Sequence, residues 1–405
     1  MEAAEPGAAG RTLATEAVVD LDAVAHNAAA LRSAVAGGAA GGGAQLMAVV
    51  KADGYGHGIV ETARAALAGG ATWLGVAHVD EALRLRAAGV DAPVLAWILT
   101  PGGDLRPALE AGVDVSVAAG WALEDVVAAA RATGRTARVH LEVDTGLSRG
   151  GAAPGEWPGL LDAVAKHVAD GTVQVRGTWG HFASADEPEL ASVAAQLDAF
   201  EAALATVRAA GVDPGLRHHA NSAGALFVPA ARYDLVRCGI AVVGLSPAPQ
   251  LASAADLGLV PAMTLRARLA HVRHVPAGAG VSYGHTFTTA RASALGLVPL
   301  GYADGIPRHA SSAGEVLVGG QRRRTAGRVC MDQFVVDLGD SSDAADVVAA
   351  TAAAGDEVVV FGPGTAGEPT AQDWADAAGT ISYEIVSRLG GRVPRRFTGT
   401  AGVPA

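Results

Sequence analysis

Lysine is scarce in this chain: only Lys51 and Lys166 occur among 30 basic residues, the rest being arginine. Lys51 follows the apolar run Leu46-Met47-Ala48-Val49-Val50 and leads into Ala52-Asp53-Gly54-Tyr55-Gly56-His57-Gly58. A lysine at the end of a buried strand is desolvated, which depresses its pKa and exposes a nucleophilic amine. That setting points to Schiff-base chemistry. The ordinary alternative is a lysine whose stem packs at a strand end while its ammonium reaches water. Other reactive pairings are poor. Cys238 and Cys330 form no C-x-x-C pair, and two cysteines in 405 residues suggest a reducing, cytoplasmic setting. The neighbours His218 and His219 would point to opposite faces of a strand, a weak chelate. No H-E-x-x-H, EF-hand loop, P-loop or G-x-S-x-G occurs, so no metal is expected. Gly362-Pro363-Gly364-Thr365-Ala366-Gly367 has G-x-G-x-x-G spacing but lies outside any βαβ unit and reads as a turn.

Those residues need elements to hold them. From about Ala17 to Arg237, short apolar runs alternate with alanine-rich amphipathic stretches. Leu46–Val50, Trp73–Ala77, Pro93–Ile98, Asp114–Ala118, Arg138–Val143, Val173–Gly177 and Leu216–Ala220 predict strands. Ile59–Ala68, Val79–Ala88, Leu123–Ala132 and Ala191–Ala210 predict helices. Apolar runs without period-2 alternation, parted by helices, indicate a parallel sheet buried on both faces. About eight such units predict an α/β chain with an N-terminal (β/α)8 barrel, whose catalytic groups sit at the C-terminal ends of strands. Lys51 occupies such an end. After Pro249 the texture changes to short runs with partial alternation, at Met263–Val275, Leu295–Leu300, Glu315–Val318, Phe334–Leu338 and Glu357–Phe361, the mark of a mainly antiparallel β-domain. A last helix is expected over Ala371–Leu389. The expected division is a flexible segment 1–16, a barrel 17–248 and a β-domain 249–405, with a first strand near 17–20 that can pair with the β-domain.

Composition removes several classes. Half of the residues are hydrophobic and 18% are charged, which excludes a disordered chain. A net charge of −11, with no basic run beyond Arg322-Arg323-Arg324, argues against a nucleic-acid partner. Residues 1–20 carry four acids and no apolar core of a signal peptide. Two uncharged stretches reach spanning length, but Ser33–Val50 holds five glycines and Cys238–Ala255 holds Pro247 and Pro249, so no membrane partner is expected.

The segment from Ala48 to Gly58 resembles the pyridoxal-phosphate lysine motif of alanine racemases. The likeness continues through Val143-Asp144-Thr145-Gly146 with Arg149, Gly180-His181-Phe182-Ala183, and His219-Ala220-Asn221-Ser222. It goes on through Arg237-Cys238-Gly239-Ile240, Val281-Ser282-Tyr283-Gly284, Gly301-Tyr302-Ala303-Asp304-Gly305, Gly327-Arg328-Val329-Cys330-Met331-Asp332 and Gly379-Thr380-Ile381-Ser382-Tyr383-Glu384. Any one is weak; nine in collinear order across both expected domains are specific.

The resemblance implies pyridoxal 5'-phosphate as cofactor, L- and D-alanine as substrates, and a head-to-tail homodimer with shared active sites that supplies D-alanine for peptidoglycan. It implies that Lys51 carries the cofactor as an internal aldimine, and that Tyr55, Ser222, Gly239, Ile240 and Tyr383 surround its phosphate. Tyr283 matches a second base contributed by the neighbouring subunit, and His181 lies between that tyrosine and Arg237. Arg149 and the backbone of Met331 match contacts to the substrate carboxylate, and Tyr302 matches a narrow entry gate. Arg237 matches the group facing the pyridine nitrogen. Arginine offers donors only, so a nitrogen against it stays unprotonated and the ring is a muted electron sink. Removing a proton on one face and returning it on the other calls for two acid/base groups.

One position departs from the pattern. Many relatives have a lysine, commonly carbamylated, where this chain reads Glu142; the expectation is that the glutamate supplies the anion beside Arg149. Two other readings compete. An amino-acid decarboxylase of the same architecture is faintly suggested by Cys330 near Asp332, but Tyr283 and His219-Ala220-Asn221-Ser222 favour the racemase. A non-enzymatic cofactor carrier would not need the β-domain's own site residues.

Overall fold

The computed structural model describes residues 14–37, 43–343 and 345–402, which fall into two compact units: 20–262 with 399–402, and 14–19 with 263–398. The part of the expected flexible segment before residue 14 lies outside the described residues, while Thr15 and Glu16 belong to the first strand, β1 (Thr15–Asp20).

The first unit is built on eight parallel strands, β2 (Gln45–Val49), β3 (Trp73–Val76), β4 (Val94–Ala96), β5 (Asp114–Val117), β6 (Ala137–Glu142), β7 (Val173–Trp179), β8 (Leu216–His218) and β9 (Leu235–Cys238). They run in the order β9-β2-β3-β4-β5-β6-β7-β8. The ends of that sheet meet: the Asp234 amide donates to Arg217 O at 3.1 Å and the Arg237 amide to Ala220 O at 2.9 Å, giving a nearly closed barrel. Strands β3, β4, β5 and β9 are buried at every residue, as strands covered by helices outside and side chains inside must be. Met47, Trp73, Leu95 and Leu235 fill the interior, with Trp97 and Leu216 against them. Burial of each such side chain contributes about 1.5–3 kcal/mol. The helix Leu21–Val35 shows how the outer layer is specified. Asp20 caps it, accepting from the amides of Asp22 and Ala23, and Leu21, Val24, Ala28, Leu31 and Val35 form its buried stripe.

In the second unit β1 pairs antiparallel with β10 (Met263–Arg268) in a six-stranded sheet. A three-stranded sheet joins β11 (His271–Val275), β14 (Ser293–Val298) and β17 (Phe334–Asp340). Between β11 and β14 a small hairpin joins β12 (Gly280–Val281) to β13 (Phe287–Thr288).

The structure differs from the sequence reading in three places. Strand β9 was not among the apolar runs, because it is four residues long and carries a charged side chain, Arg237. Residues 249–262 group with the barrel, whereas 14–19 group with the β-sheets. The expected helix Ala371–Leu389 is two helices, Ala371–Ala378 and Ser382–Ser387, because Gly379 adopts φ 66° and ends the first. The glycine-rich run at 362–367 is a turn, as read from the sequence, whose Gly364 and Ala366 amides both donate to the Glu368 carboxylate at 2.8 Å.

Candidate active site

Lys51 leaves the C-terminal end of β2, with its amine 5.7 Å from the centre of the Trp97 ring. Burial lowers the pKa of the amine, and Arg149 and Arg237 lower it further, against an opposing pull from Glu81. After the lysine the chain makes a turn of left-handed helix: Ala52, Asp53, Gly54 and Tyr55 have φ of 53°, 55°, 65° and 54°. Three of these carry a Cβ, which the left-handed region disfavours by roughly 1–2 kcal/mol per residue. This turn brings Tyr55 to Gly239, where an added Cβ would lie 2.2 Å from the Tyr55 hydroxyl oxygen. The Gly239 amide donates to Ser222 Oγ at 3.0 Å, and Ile240 follows, fully buried. Tyr55, Ser222, Gly239 and Ile240 thus come together, three separate segments of the sequence in one cradle.

Arg237 rises from β9 into the barrel, 4% exposed. Its Nη1 donates to His218 O at 2.8 Å and His218 Nδ1 at 3.1 Å; its Nη2 donates to Gly180 O at 2.8 Å, His181 Nδ1 at 3.1 Å and His219 O at 3.2 Å. The guanidinium lies 4.6 Å from the centre of the Trp179 ring. Burial pulls its pKa down to about 9, which leaves it charged at neutral pH. Because arginine only donates, these contacts fix the neighbouring tautomers. His181 accepts at Nδ1, so in its neutral form the proton sits on Nε2. His218 likewise accepts at Nδ1 and donates from Nε2 to His140 Nδ1 at 2.9 Å. Burial, reinforced by Arg237, holds both His181 and His218 well below the usual histidine pKa and hence neutral. The loop carrying His181 is tied by Gln196, which donates to Thr145 Oγ1 and His181 O and accepts from the Ala183 amide.

Glu142 ends β6, with Gly150 packed so close that an added Cβ would lie 3.1 Å from its Oε1. Burial pushes its carboxyl up to about 7 against the opposing pull of Arg237 and Arg149. Its carboxyl therefore titrates within the neutral range rather than below it. No ion pair joins it to Arg149 among the described residues. Arg149 itself is exposed, on a loop turned by Asp144, whose carboxylate accepts from the Gly146 and Ser148 amides.

The remaining expected site residues belong to the β-sheet unit. Tyr283 lies in the β12–β13 hairpin, 71% exposed, between Ser282 and Gly284 with φ of 61° and 70°. Ser282 Oγ donates to Arg328 O at 2.6 Å and contacts Cys330 Sγ at 3.4 Å. Tyr302 and Met331 are also exposed, at 40% and 53%, and are cross-linked through the Tyr302 amide to Cys330 O and the Ala303 amide to Met331 O, both 3.0 Å. Tyr283, Tyr302 and Met331 are thus exposed residues tied to the same stretch, Arg328–Met331. Tyr383 lies in the helix Ser382–Ser387, half-buried.

Comparison with known proteins decides the family. Residues 19–247 match the alanine racemase N-terminal domain, and residues 262–397 the alanine racemase C-terminal domain. The chain is 56% identical to the alanine racemase of Frankia casuarinae over 96% of its own length and 97% of that protein. The chain belongs to the alanine racemase family. The crystal structure of alanine racemase from D-cycloserine producing Streptomyces lavendulae superposes with a TM-score of 0.91 at 54% identity, covering 96% of this chain and 98% of that one. That from Bacillus anthracis with bound L-Ala-P gives 0.85 at 34% identity, covering 97% of each.

The barrel mouth suits the cofactor of such a family. The space beside Gly239 can exist only without a side chain there, and Tyr55 occupies it. Both terminal nitrogens of Arg237 are spent on protein acceptors, which leaves its Nε–H for an acceptor such as a pyridine nitrogen. Sequence reasoning missed Glu81, Trp179, Gln196 and the His140–His218 pair. Only Glu81 carried a local signal, three residues after the residue that precedes its helix, where an acid serves a helix start.

Proposed function

We propose that this chain interconverts L- and D-alanine using pyridoxal 5'-phosphate, with Lys51 and Tyr283 of the partner subunit as the two acid/base groups, and that it supplies D-alanine for peptidoglycan. The observation that carries the reading is the pairing, in one buried mouth, of a lysine with lowered pKa and an arginine with a single unspent donor. Lys51 would hold the cofactor covalently, Tyr55, Ser222, Gly239, Ile240 and Tyr383 its phosphate, and Arg237 its ring nitrogen. The bound cofactor supplies delocalisation of the negative charge left when the α-proton departs. Because Arg237 only donates, it could not accept a hydrogen bond from a protonated ring nitrogen; facing that nitrogen it would favour the unprotonated ring and prompt return of the proton to Cα.

The chain's own groups do the rest. The Lys51 amine, with its lowered pKa, takes or returns the α-proton on one face. The Tyr283 phenol serves the other, and His181, neutral with its proton on Nε2, is the donor that can steady a phenolate there. Arg149 and the Met331 backbone hold the substrate carboxylate, and Tyr302 narrows the entry. The exposure of Tyr283, Tyr302 and Met331 supports a site completed by a second copy of the chain, since large apolar groups gathered on a surface mark an interface.

The test has two parts. Borohydride reduction of the holoenzyme is expected to fix the cofactor to the Lys51 peptide; label on Lys166 overturns the assignment. Mixing Lys51→Ala with Tyr283→Ala protomers is expected to restore activity, because in a mixed dimer one shared site collects both defects and the other none. No recovery despite demonstrated subunit exchange would count against sharing. Chiral analysis after incubation with L-alanine checks the reaction itself.

A further inference from the structure

The lysine's own amide plane continues into an improbable piece of backbone. The left-handed turn is closed by hydrogen bonds donated by the Gly54 amide to Val50 O, the Gly56 amide to Ala52 O and the Gly58 amide to Asp53 O, at 2.8, 2.9 and 2.8 Å. The Ala52 amide, the first after Lys51, donates outside the turn, to Glu81 Oε1 at 2.7 Å. Glu81 Oε2 accepts from the amides of Ala77 and His78 at 2.9 and 3.1 Å. One carboxylate therefore collects three backbone donors from the ends of two paired strands, since Val49 of β2 lies opposite Gly75 of β3. Charge-assisted bonds of this kind are the strong ones, and a carboxylate in a helix's first turn is favoured further by the helix dipole. On the other side, the Val50 amide donates to Gly75 O at 2.8 Å, so Lys51 is gripped before and after its Cα. A second clamp comes from the same helix, where Arg84 Nη2 donates to Asp53 Oδ1 at 3.1 Å, but both partners are well exposed.

We propose that Glu81 is a positioning residue for Lys51: by accepting the Ala52 amide it holds the left-handed turn, and with it the direction in which the lysine leaves β2. The proposal rests on Lys51 being the cofactor lysine. A near-attack geometry is sensitive to displacements of about 1 Å, which cost on the order of a hundredfold in rate. Glu81 never touches substrate or cofactor in this role, and its effect runs through backbone alone.

The test compares Glu81→Gln, which presents an amide NH2 to donors that need an acceptor, with Glu81→Asp, which keeps the charge and shortens the reach. Both variants are expected to lose about tenfold or more in kcat, with the KM for alanine within about threefold of wild type. Both are expected to recover the bound-cofactor absorption slowly when pyridoxal 5'-phosphate is added back to cofactor-stripped protein. Wild-type kcat and wild-type recovery in both variants overturn the proposal, as does a loss that vanishes once activity is scaled to the folded fraction. Hydrogen exchange on the unaltered holoenzyme guards against variants that fail to fold: the Ala52 amide is expected to be protected, and exchange at the rate of open chain overturns the proposal. Borohydride labelling of the wild type separates the two failures, since label away from Lys51 defeats the underlying assignment and label on Lys51 leaves only Glu81 at stake.

Discussion

Two loops carry the proposed chemistry, and they are built alike but finished differently. The Lys51 loop and the Tyr283 loop both use left-handed residues with side chains: Ala52, Asp53 and Tyr55 in one, Ser282 and His285 in the other. The first is tied to the barrel by Glu81 and Asp53 and encloses its amine against Trp97. The second is anchored through Ser282 to the Arg328 carbonyl, while its tyrosine stands 71% exposed. Strained backbone persists only where its surroundings over-determine it. The barrel supplies that determination from within its own unit, whereas the hairpin holds its backbone and leaves its phenol exposed.

The largest effect should come from the enclosed loop. Lys51→Ala is expected to lower racemisation by roughly 10⁴-fold or more in both directions, because covalent anchoring and one acid/base group go together. A chiral assay run from L- and from D-alanine checks this. Tyr283→Phe should be lopsided instead. It is expected to cost about 10²–10⁴-fold in α-proton abstraction from L-alanine, with far less effect on α-proton exchange of D-alanine. Equal losses in deuterium exchange from both enantiomers would erase the proposed difference between the loops. A smaller effect follows at the cradle. Gly239→Ala places a Cβ 2.2 Å from the Tyr55 hydroxyl oxygen and must displace that ring. Overpacking of about 1–3 kcal/mol predicts retention of pyridoxal 5'-phosphate weaker by roughly five- to a hundredfold, measurable by equilibrium dialysis.

The alternation of apolar runs with amphipathic stretches was enough to read a barrel, because strands such as β3, β4 and β5 are buried on both faces and show it. Helix Ile59–Ala68 has the predicted bounds for the same reason, a clear stripe ended by glycine. Strand β9 escaped because four residues with an arginine among them carry no periodic signal, although that arginine organises the mouth. Lys51 was legible from its rarity and its place after an apolar run. Glu81 was not, since nothing local tells that a helix's first-turn acid reaches across to another strand's loop. The histidine tautomers were equally hidden: they follow from Arg237 donating to His181 and His218, a fact of three-dimensional contact.

Glu142 sharpens the comparison from the barrel side, as a carboxyl of the mouth whose charge depends on ordinary changes of pH. Burial lifts it from a reference value of 4.5 to about 7. A folded-state pKa above the unfolded one means that the folded protein holds the proton more tightly. Stability is therefore unaffected well below 4.5, declines as pH rises from about 4.5 to 7, and stays reduced above that, by about 3 kcal/mol in all. Glu142→Gln removes the need to ionise. In urea unfolding it should show a gain over wild type that is small at pH 5 and largest at pH 8, approaching that figure. The functional counterpart concerns Arg149, which has no ion-pair partner among the described residues. If the ionised glutamate steadies Arg149 through the intervening space, wild-type KM for alanine falls as pH rises through about 7, whereas Glu142→Gln keeps a higher and flatter KM. Bicarbonate should leave the wild type unmoved, because a carboxylate needs no carbamylation to carry charge. Identical KM profiles for the two proteins would confine Glu142 to the barrel's interior and leave Arg149 to act alone.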